Sequence, residues 1–234
     1  MLGHILPMER KGRRAYIEPE RVCGLTLLRA EVPVAPGVRE SAVRRRVEHA
    51  ARLLERAGTR RVLVPEDFAW WEELRRQGLL PVDPAPLCAL LASRLALAAL
   101  ERRGVPPGRA VVALRGGRVS RPFFQAAAEL AGAVRGVAVS SPNGGEALSA
   151  HLRQEYGVPV LEDGPGFGAD LTLEFSPSPA AGRGETLILH GRPDLKGLGV
   201  YRRDGDWPPG FEALPLAAAL WEAGTLSLND LFCM

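Results

Sequence analysis

Residues 110 to 121, AVVALRGGRVSR, carry the clearest hint of chemistry in the chain. An apolar run reaches two glycines and then a stretch that reads as the start of a helix. A strand–turn–helix junction of this kind presents backbone N–H groups and the positive end of a helix dipole, which together can hold a phosphate. Gly116 and Gly117 supply the turn. Arg118 stands where a glycine would let phosphate approach, and Arg121 where a glycine would let helix and sheet pack closely. Arg115, Arg118 and Arg121 could add charge-assisted hydrogen bonds to such a phosphate. The plainer reading, solvated arginines beside an empty turn, weighs at least as much, because one incomplete glycine motif is a weak signal.

Two further stretches bear on a ligand. The next strand ends in VSSPNGG, with Ser140 and Ser141 and no carboxylate. An acidic residue there would favour NAD by binding the ribose diol, so its absence favours NADP if a dinucleotide binds. The alternative is an ordinary turn and helix cap. In LILHGRPDLKG, His190 ends an apolar strand and is followed by Arg192, Asp194 and Lys196. Ligands of parallel sheets sit outside the carboxyl ends of strands, where a histidine can act as general acid or base. A loop cluster fixing the following segment is the competing account.

Other candidates carry less. Glu66 and Asp67 follow an apolar strand and suit the start of a helix. Of Trp70 and Trp71, neighbours on a helix, one is expected buried and the other more exposed. Asp83 is a turn residue. His4, His49 and His151 fall on a strand edge or on helix faces, without metal-ligand spacing. Cys23, in RVCGLTLL, reads as strand, and Cys88 as a small core residue. Three scattered cysteines make neither a zinc site nor a disulfide framework, and they fit a reducing compartment. DGPGFGAD (163 to 170) is glycine-rich but leads into another strand, so it reads as a connecting turn.

The elements that must position these residues follow from periodicity. Residues 1 to 36 give two or three short strands, partly hairpin-like. A helix covers 37 to 58, with Val43, Val47, Ala50, Leu53 and Leu54 at helical spacing. A strand at 60 to 68, a short helix, a brief extended piece and a long helix from Pro84 to Arg103 follow. GVPPG (104 to 108) interrupts the pattern and sets the expected domain boundary: an N-terminal α/β domain over 1 to 104 and a second domain over 105 to 234. The second half alternates apolar strands with helices, which predicts a parallel sheet with covered faces. SPSPAAGRGE (176 to 185) reads as a loop.

Composition narrows the classes of function. The chain has 234 residues, a hydrophobic fraction of 46% and a net charge of only +3. That is too mild a charge for a dedicated nucleic-acid binder, and the basic runs ERKGRR (9 to 14) and RRRVEH (44 to 49) read as solvated surface. The most apolar stretch, 86 to 104, is interrupted by Arg94 and Glu101 and reads as a buried helix rather than a membrane span. A cytoplasmic protein is expected, with no membrane partner. A small phosphorylated ligand and a second copy of the chain stay open as partners.

The order of segments from about 105 to 195 resembles the Rossmann domain of the shikimate dehydrogenase, glutamyl-tRNA reductase and methylene-tetrahydrofolate dehydrogenase group. The likeness rests on strand, turn and helix at AVVALRGGRVSRPFF, a helix ending in RQEYG, and the strand segment GADLTLEFSPS. The group also places an α/β substrate domain before its cofactor domain. The resemblance implies an α/β fold with a Rossmann-like C-terminal domain. It also implies NADP(H) or a related phosphorylated ligand at Gly116, Gly117, Arg118, Arg121, Ser140 and Ser141. Two departures count against enzyme activity of that group. The glycine motif is degenerate, and residues 1 to 104 match neither the Ser-x-Ser pair nor the Asn-x-Thr-x-Pro-His-Lys segment of shikimate-type enzymes. No catalytic residue carries over. Two functions therefore stand open, a nucleotide-dependent oxidoreductase and a non-catalytic scaffold that keeps the fold.

Overall fold

A computed structural model describes residues 1–10, 12, 15–161, 163, 168–177 and 183–234. In chain order the elements are β1 (Leu2–Met8), β2 (Tyr16–Val22), β3 (Leu25–Pro33), α1 (Glu40–Arg56), β4 (Arg61–Leu63), α2 (Trp71–Arg76), β5 (Leu80–Pro81), α3 (Ala85–Leu90), α4 (Ala92–Arg102), β6 (Val111–Arg115), α5 (Arg121–Ala131), β7 (Gly136–Ser140), α6 (Gly145–Tyr156), β8 (Val160–Leu161), β9 (Gly168–Glu174), β10 (Arg183–Ile188), β11 (Val200–Arg202), α7 (Ala213–Glu222) and β12 (Leu231–Cys233). The protein is α/β, with parallel strands dominating both of its larger sheets. No helix among the described residues is long and apolar enough to cross a membrane.

The chain forms two compact units, and each is discontinuous. One contains Met1–Val82 and Asp204–Ser227, the other Asp83–Arg203 and Leu228–Met234. Helices α3 and α4, which the sequence places before the boundary at 104, pack with the second unit, and α7 packs with the first. The single helix expected from Pro84 to Arg103 is two helices that break at Leu91, whose φ of −90° and ψ of 5° leave the α region.

In the first unit the strand order is β2-β3-β1-β4-β5. β2 and β3 form an antiparallel hairpin, while β1, β3, β4 and β5 run parallel. Cys23 and Gly24 make the hairpin turn with φ of 49° and 84°, so Cys23 is a turn residue rather than part of a strand. Helix α1 buries Val43, Val47, Ala50, Ala51 and Leu54 against Ile5, Ala30, Val32 and Val62 on one face of the sheet. Each fully buried Val or Leu there contributes about 1.5–3 kcal/mol. Trp70 and Trp71 do not divide into buried and exposed. Both are half-buried and meet the buried Phe68 edge-on, at 5.5 and 5.7 Å.

The opposite face of this sheet is charged. β1 is the central strand, so His4 is buried rather than at an edge. Its Nδ1 lies 3.1 Å from Glu20 Oε2, its Nε2 lies 3.1 Å from the Gly210 carbonyl, and its ring stacks on Phe211 at 3.9 Å. Arg29 pairs with Glu18, Glu20 and Glu31, and the Tyr16 hydroxyl donates to Glu31 at 2.5 Å. Burial pushes the His4 pKa below its ordinary 6.5, against the pull of Glu20. The hydrogen bonds from Tyr16 and Arg29 hold the Glu31 carboxyl below its usual range. Both shifts act in the same direction. A depressed folded pKa means that the unfolded chain binds the proton first, so stability is complete above the unfolded value and drains away as pH falls below it. The first unit is expected to weaken as pH drops through about 6.5 and again through the carboxylate range. Urea denaturation at pH 7.5, 5.5 and 4 checks this, and His4→Phe should remove the upper step.

In the second unit the strand order is β8-β7-β6-β9-β10, all parallel. Numbered within the unit this is 3-2-1-4-5, the order of a Rossmann sheet. Helices α5 and α6 are the crossovers from β6 to β7 and from β7 to β8, and α4 packs against both α5 and β9. The helix layer covers an apolar face made by Val112, Leu114, Val137, Val139, Leu171 and Leu173. A Cβ at Gly116 would meet Phe123 of α5, and one at Gly145 would meet Val139, which fixes that face as the helical one. The other face alternates small and polar side chains: Ala113 and Arg115, Ala138 and Ser140, Thr172 and Glu174.

Candidate functional site

The carboxyl ends of β6, β7, β9 and β10 bring the expected site residues to one edge of the second unit's sheet. The turn after β6 leads into α5, where Ser120 caps the helix by accepting from the Phe123 N–H at 3.4 Å and Pro122 occupies the first turn. Arg118 and Arg121 are exposed on the turn and at the helix start. Ser140 and Ser141 are half-buried at the end of β7. His190 is half-buried just beyond β10.

The turn itself is not built as the glycine motif predicts. Neither Gly116 nor Gly117 has a positive φ. A Cβ at Gly117 would touch only Ser176 Oγ, at 3.5 Å, and one at Gly116 would lie 3.4 Å from Phe123 and 3.5 Å from Phe175. Those are close to ordinary contacts, so no left-handed backbone calls for glycine here. Gly117→Ala should therefore change stability by less than about 0.5 kcal/mol, as a surface substitution does, which thermal denaturation can read.

The turn's donors are also engaged. The Gly116 N–H donates to the Ser140 carbonyl at 3.0 Å and the Val119 N–H to the Asn143 carbonyl at 2.9 Å. The Gly117 N–H donates to Ser176 Oγ at 2.7 Å, and the Asn143 amide donates back to the Gly117 carbonyl at 2.8 Å. Phe123 and Phe175 pack beside Gly116 with ring centroids 4.8 Å apart. Asn143 and Ser176 thus tie the turn to the ends of β7 and β9. The expected free N–H groups at the turn and the helix start are in large part spent on the protein itself.

A polar row missed by the sequence reading runs across the small-residue face at this same edge. Arg115, in register with Ser140 on β7 and Glu174 on β9, is 4% exposed. Its Nε and Nη2 donate to the two oxygens of Asp163 at 2.6 and 2.7 Å, and the Asp163 side chain is 2% exposed. The hydrogen bonds it donates to this carboxylate hold the guanidinium charge more firmly than burial loosens it. Arg115 is therefore committed within the fold rather than offered to a phosphate. Next along the row, His190 Nε2 lies 2.9 Å from Glu174 Oε1. One pleat below Glu174, the Thr172 hydroxyl is buried with no hydrogen-bond partner among the described residues. The alternation Leu171, Thr172, Leu173, Glu174 was the available signal, because period 2 puts both polar residues on one face. A buried hydroxyl without a partner costs about 1–3 kcal/mol, so Thr172→Val should raise the ligand-free melting temperature.

The residues after His190 hold their own loop. Backbone hydrogen bonds between Ile188 and Asp194 close it at 2.9 and 3.0 Å. Asp194 accepts from the Lys196 backbone and from its ammonium, which keeps the Asp194 carboxyl below its usual range. Arg102 of α4 donates to the Lys196 carbonyl and to Glu185. Asp194 and Lys196 therefore serve the loop, as the plainer account of that cluster has it. Among the described residues no group of His, Cys, Asp and Glu could hold a metal. The turn expected at 163–170 and the loop expected at 176–185 fall partly on residues 164–167 and 178–182, outside the described ones, as do Lys11, Arg13 and Arg14 of the first basic run.

Strand order and sheet edge define the second unit as a Rossmann-like α/β unit. No protein-family model and no curated protein matches the sequence. Among solved structures, the chain is similar to L-tryptophan dehydrogenase from Nostoc punctiforme at 16% identity with a TM-score of 0.30, covering 63% of this chain. It spans 44% of that dehydrogenase.

Proposed function

We propose that the protein binds a phosphorylated ligand, with NADP(H) the first candidate, at the carboxyl edge of its Rossmann-like sheet. The observation that carries this is the placement of Arg118 and Arg121, exposed at the turn after the first strand of a 3-2-1-4-5 sheet, the switch point where such sheets take ligands. Arg118 and Arg121 would hold phosphoryl oxygens by charge, and Ser140 and Ser141 would meet a ribose without repelling a 2′-phosphate. The residues fit a phosphate by charge. The turn's backbone fits it less well, since Gly117 donates to Ser176.

That engagement favours a second reading, a scaffold that keeps the fold without a nucleotide. Thermal-shift titration with NADP, NADPH, NAD, NADH and inorganic phosphate separates the two. A ligand at 100 times its dissociation constant adds about 2.7 kcal/mol, and Arg118→Ala should abolish the shift. No shift with any of the five favours the scaffold.

A further inference from the structure

We propose that His190 is a general base at this edge, with Glu174 as the residue that positions it. The inference rests on the reading that a phosphorylated ligand binds here, and it adds that the ligand bears a hydroxyl presented to His190. A carboxylate only accepts hydrogen bonds, so its place 2.9 Å from Nε2 assigns the ring proton to that nitrogen. Nδ1 then carries the lone pair, and no described residue bonds to it. The side chains are 26% and 18% exposed, so the pair is reachable yet shielded. A merely structural task for the pair is already filled. The loop is closed by Ile188 and Asp194, pinned by Lys196, and braced by Arg102. Arg115, the nearest cation along the row, is taken by Asp163. The Thr172 hydroxyl, buried on the same strand face, is a second polar group that bonds to no described residue.

In the step this arrangement supports, the Nδ1 lone pair takes the proton of a ligand hydroxyl. The O–H bond breaks and its electron pair stays on oxygen. The ring becomes an imidazolium, and Glu174 stabilises its charge through the Nε2–H. An imidazole held in one tautomer by a carboxylate is an arrangement suited to general-base catalysis.

Two measurements on the intact protein test this. Nitrogen-15 NMR of the histidine side chains should show His190 as the Nε2–H tautomer near pH 7.5, and Glu174→Gln should convert it to a tautomer mixture with the melting temperature unchanged. Labelling by diethyl pyrocarbonate, followed by peptide mass spectrometry, should modify His190 several-fold faster than His151, and Glu174→Gln should remove that advantage. A Nδ1–H tautomer in the wild type, or labelling that ignores Glu174, overturns the base assignment. Protection supplies the other arm. If labelling depends on Glu174 but NADPH, NADP and phosphate all fail to slow it, the ligand reading fails while the dyad stands. If those ligands shift the melting temperature yet labelling is insensitive to Glu174, the ligand reading stands and the base assignment falls.

Discussion

Arg115→Ala should destabilise the protein by about 3–5 kcal/mol, because it strands a buried carboxylate. Asp163 is 2% exposed and accepts two hydrogen bonds from that one guanidinium. Without the cation its charge would sit in a poorly hydrated environment or take up a proton, and either outcome penalises the fold. The comparison variant is Arg115→Met with Asp163→Leu. Replacing a buried ion pair by apolar groups of similar volume is often neutral or stabilising, so the double variant should recover most of the loss. If the double variant is as unstable as the single, the pair is not the cause. The choice of probe matters, since Trp70, Trp71, Trp207 and Trp221 all belong to the first unit. Circular dichroism therefore reports both units, while tryptophan fluorescence reports the first alone. Loss of Arg115 should appear in the dichroism transition.

Phe123→Ala should cost a similar amount, about 3–5 kcal/mol, by leaving a cavity in a well-packed layer. Phe123 is fully buried in the first turns of α5, against Phe175 and beside Gly116. It joins the helix start to the residue that follows β9, so its loss should also loosen the Gly117–Ser176 hydrogen bond. Amide exchange at Gly117 should accelerate in this variant more than at Val112 in the centre of β6. Phe123→Leu, which keeps most of the volume, should restore most of the stability. A Phe123→Ala protein of wild-type stability would mean that the turn collapses freely around the space.

The element order was legible in the sequence because glycines and prolines bracket most apolar runs, and the second half repeats strand and helix regularly. The central position of β1 was not. Parallel pairing of β1 with β3 across a hairpin leaves no local mark, so His4 read as an edge residue. Gly116, Arg118, Ser140 and His190 each end or follow a strand in the sequence, and because those strands run parallel the fold sets all four at one edge. Asp163 escaped because it sits in a glycine-rich segment, and its partner lies 48 positions away. Glu174 and Thr172 are visible as alternation in LTLEF, but the pattern alone reads as plain strand. What could not be read at all was the use of the turn's donors. Ser176 and Asn143 are ordinary loop residues until the fold sets them against Gly117.

The split of the chain between its two units bears on how the protein is made. The first unit needs Asp204–Ser227, including α7, yet Met1–Val82 leaves the ribosome some 120 residues earlier. At about 5–20 residues per second that is a delay of roughly 6–24 s. During this interval β1 stands exported without the Gly210 and Phe211 that cover His4, while the second unit has most of its chain in hand. The half synthesised first therefore waits for Asp204–Ser227, and the second unit waits in turn for Leu228–Met234. A chain released at residue 203 should present the first unit to proteases, while the second unit lacks only Leu228–Met234 and should be the better protected of the two.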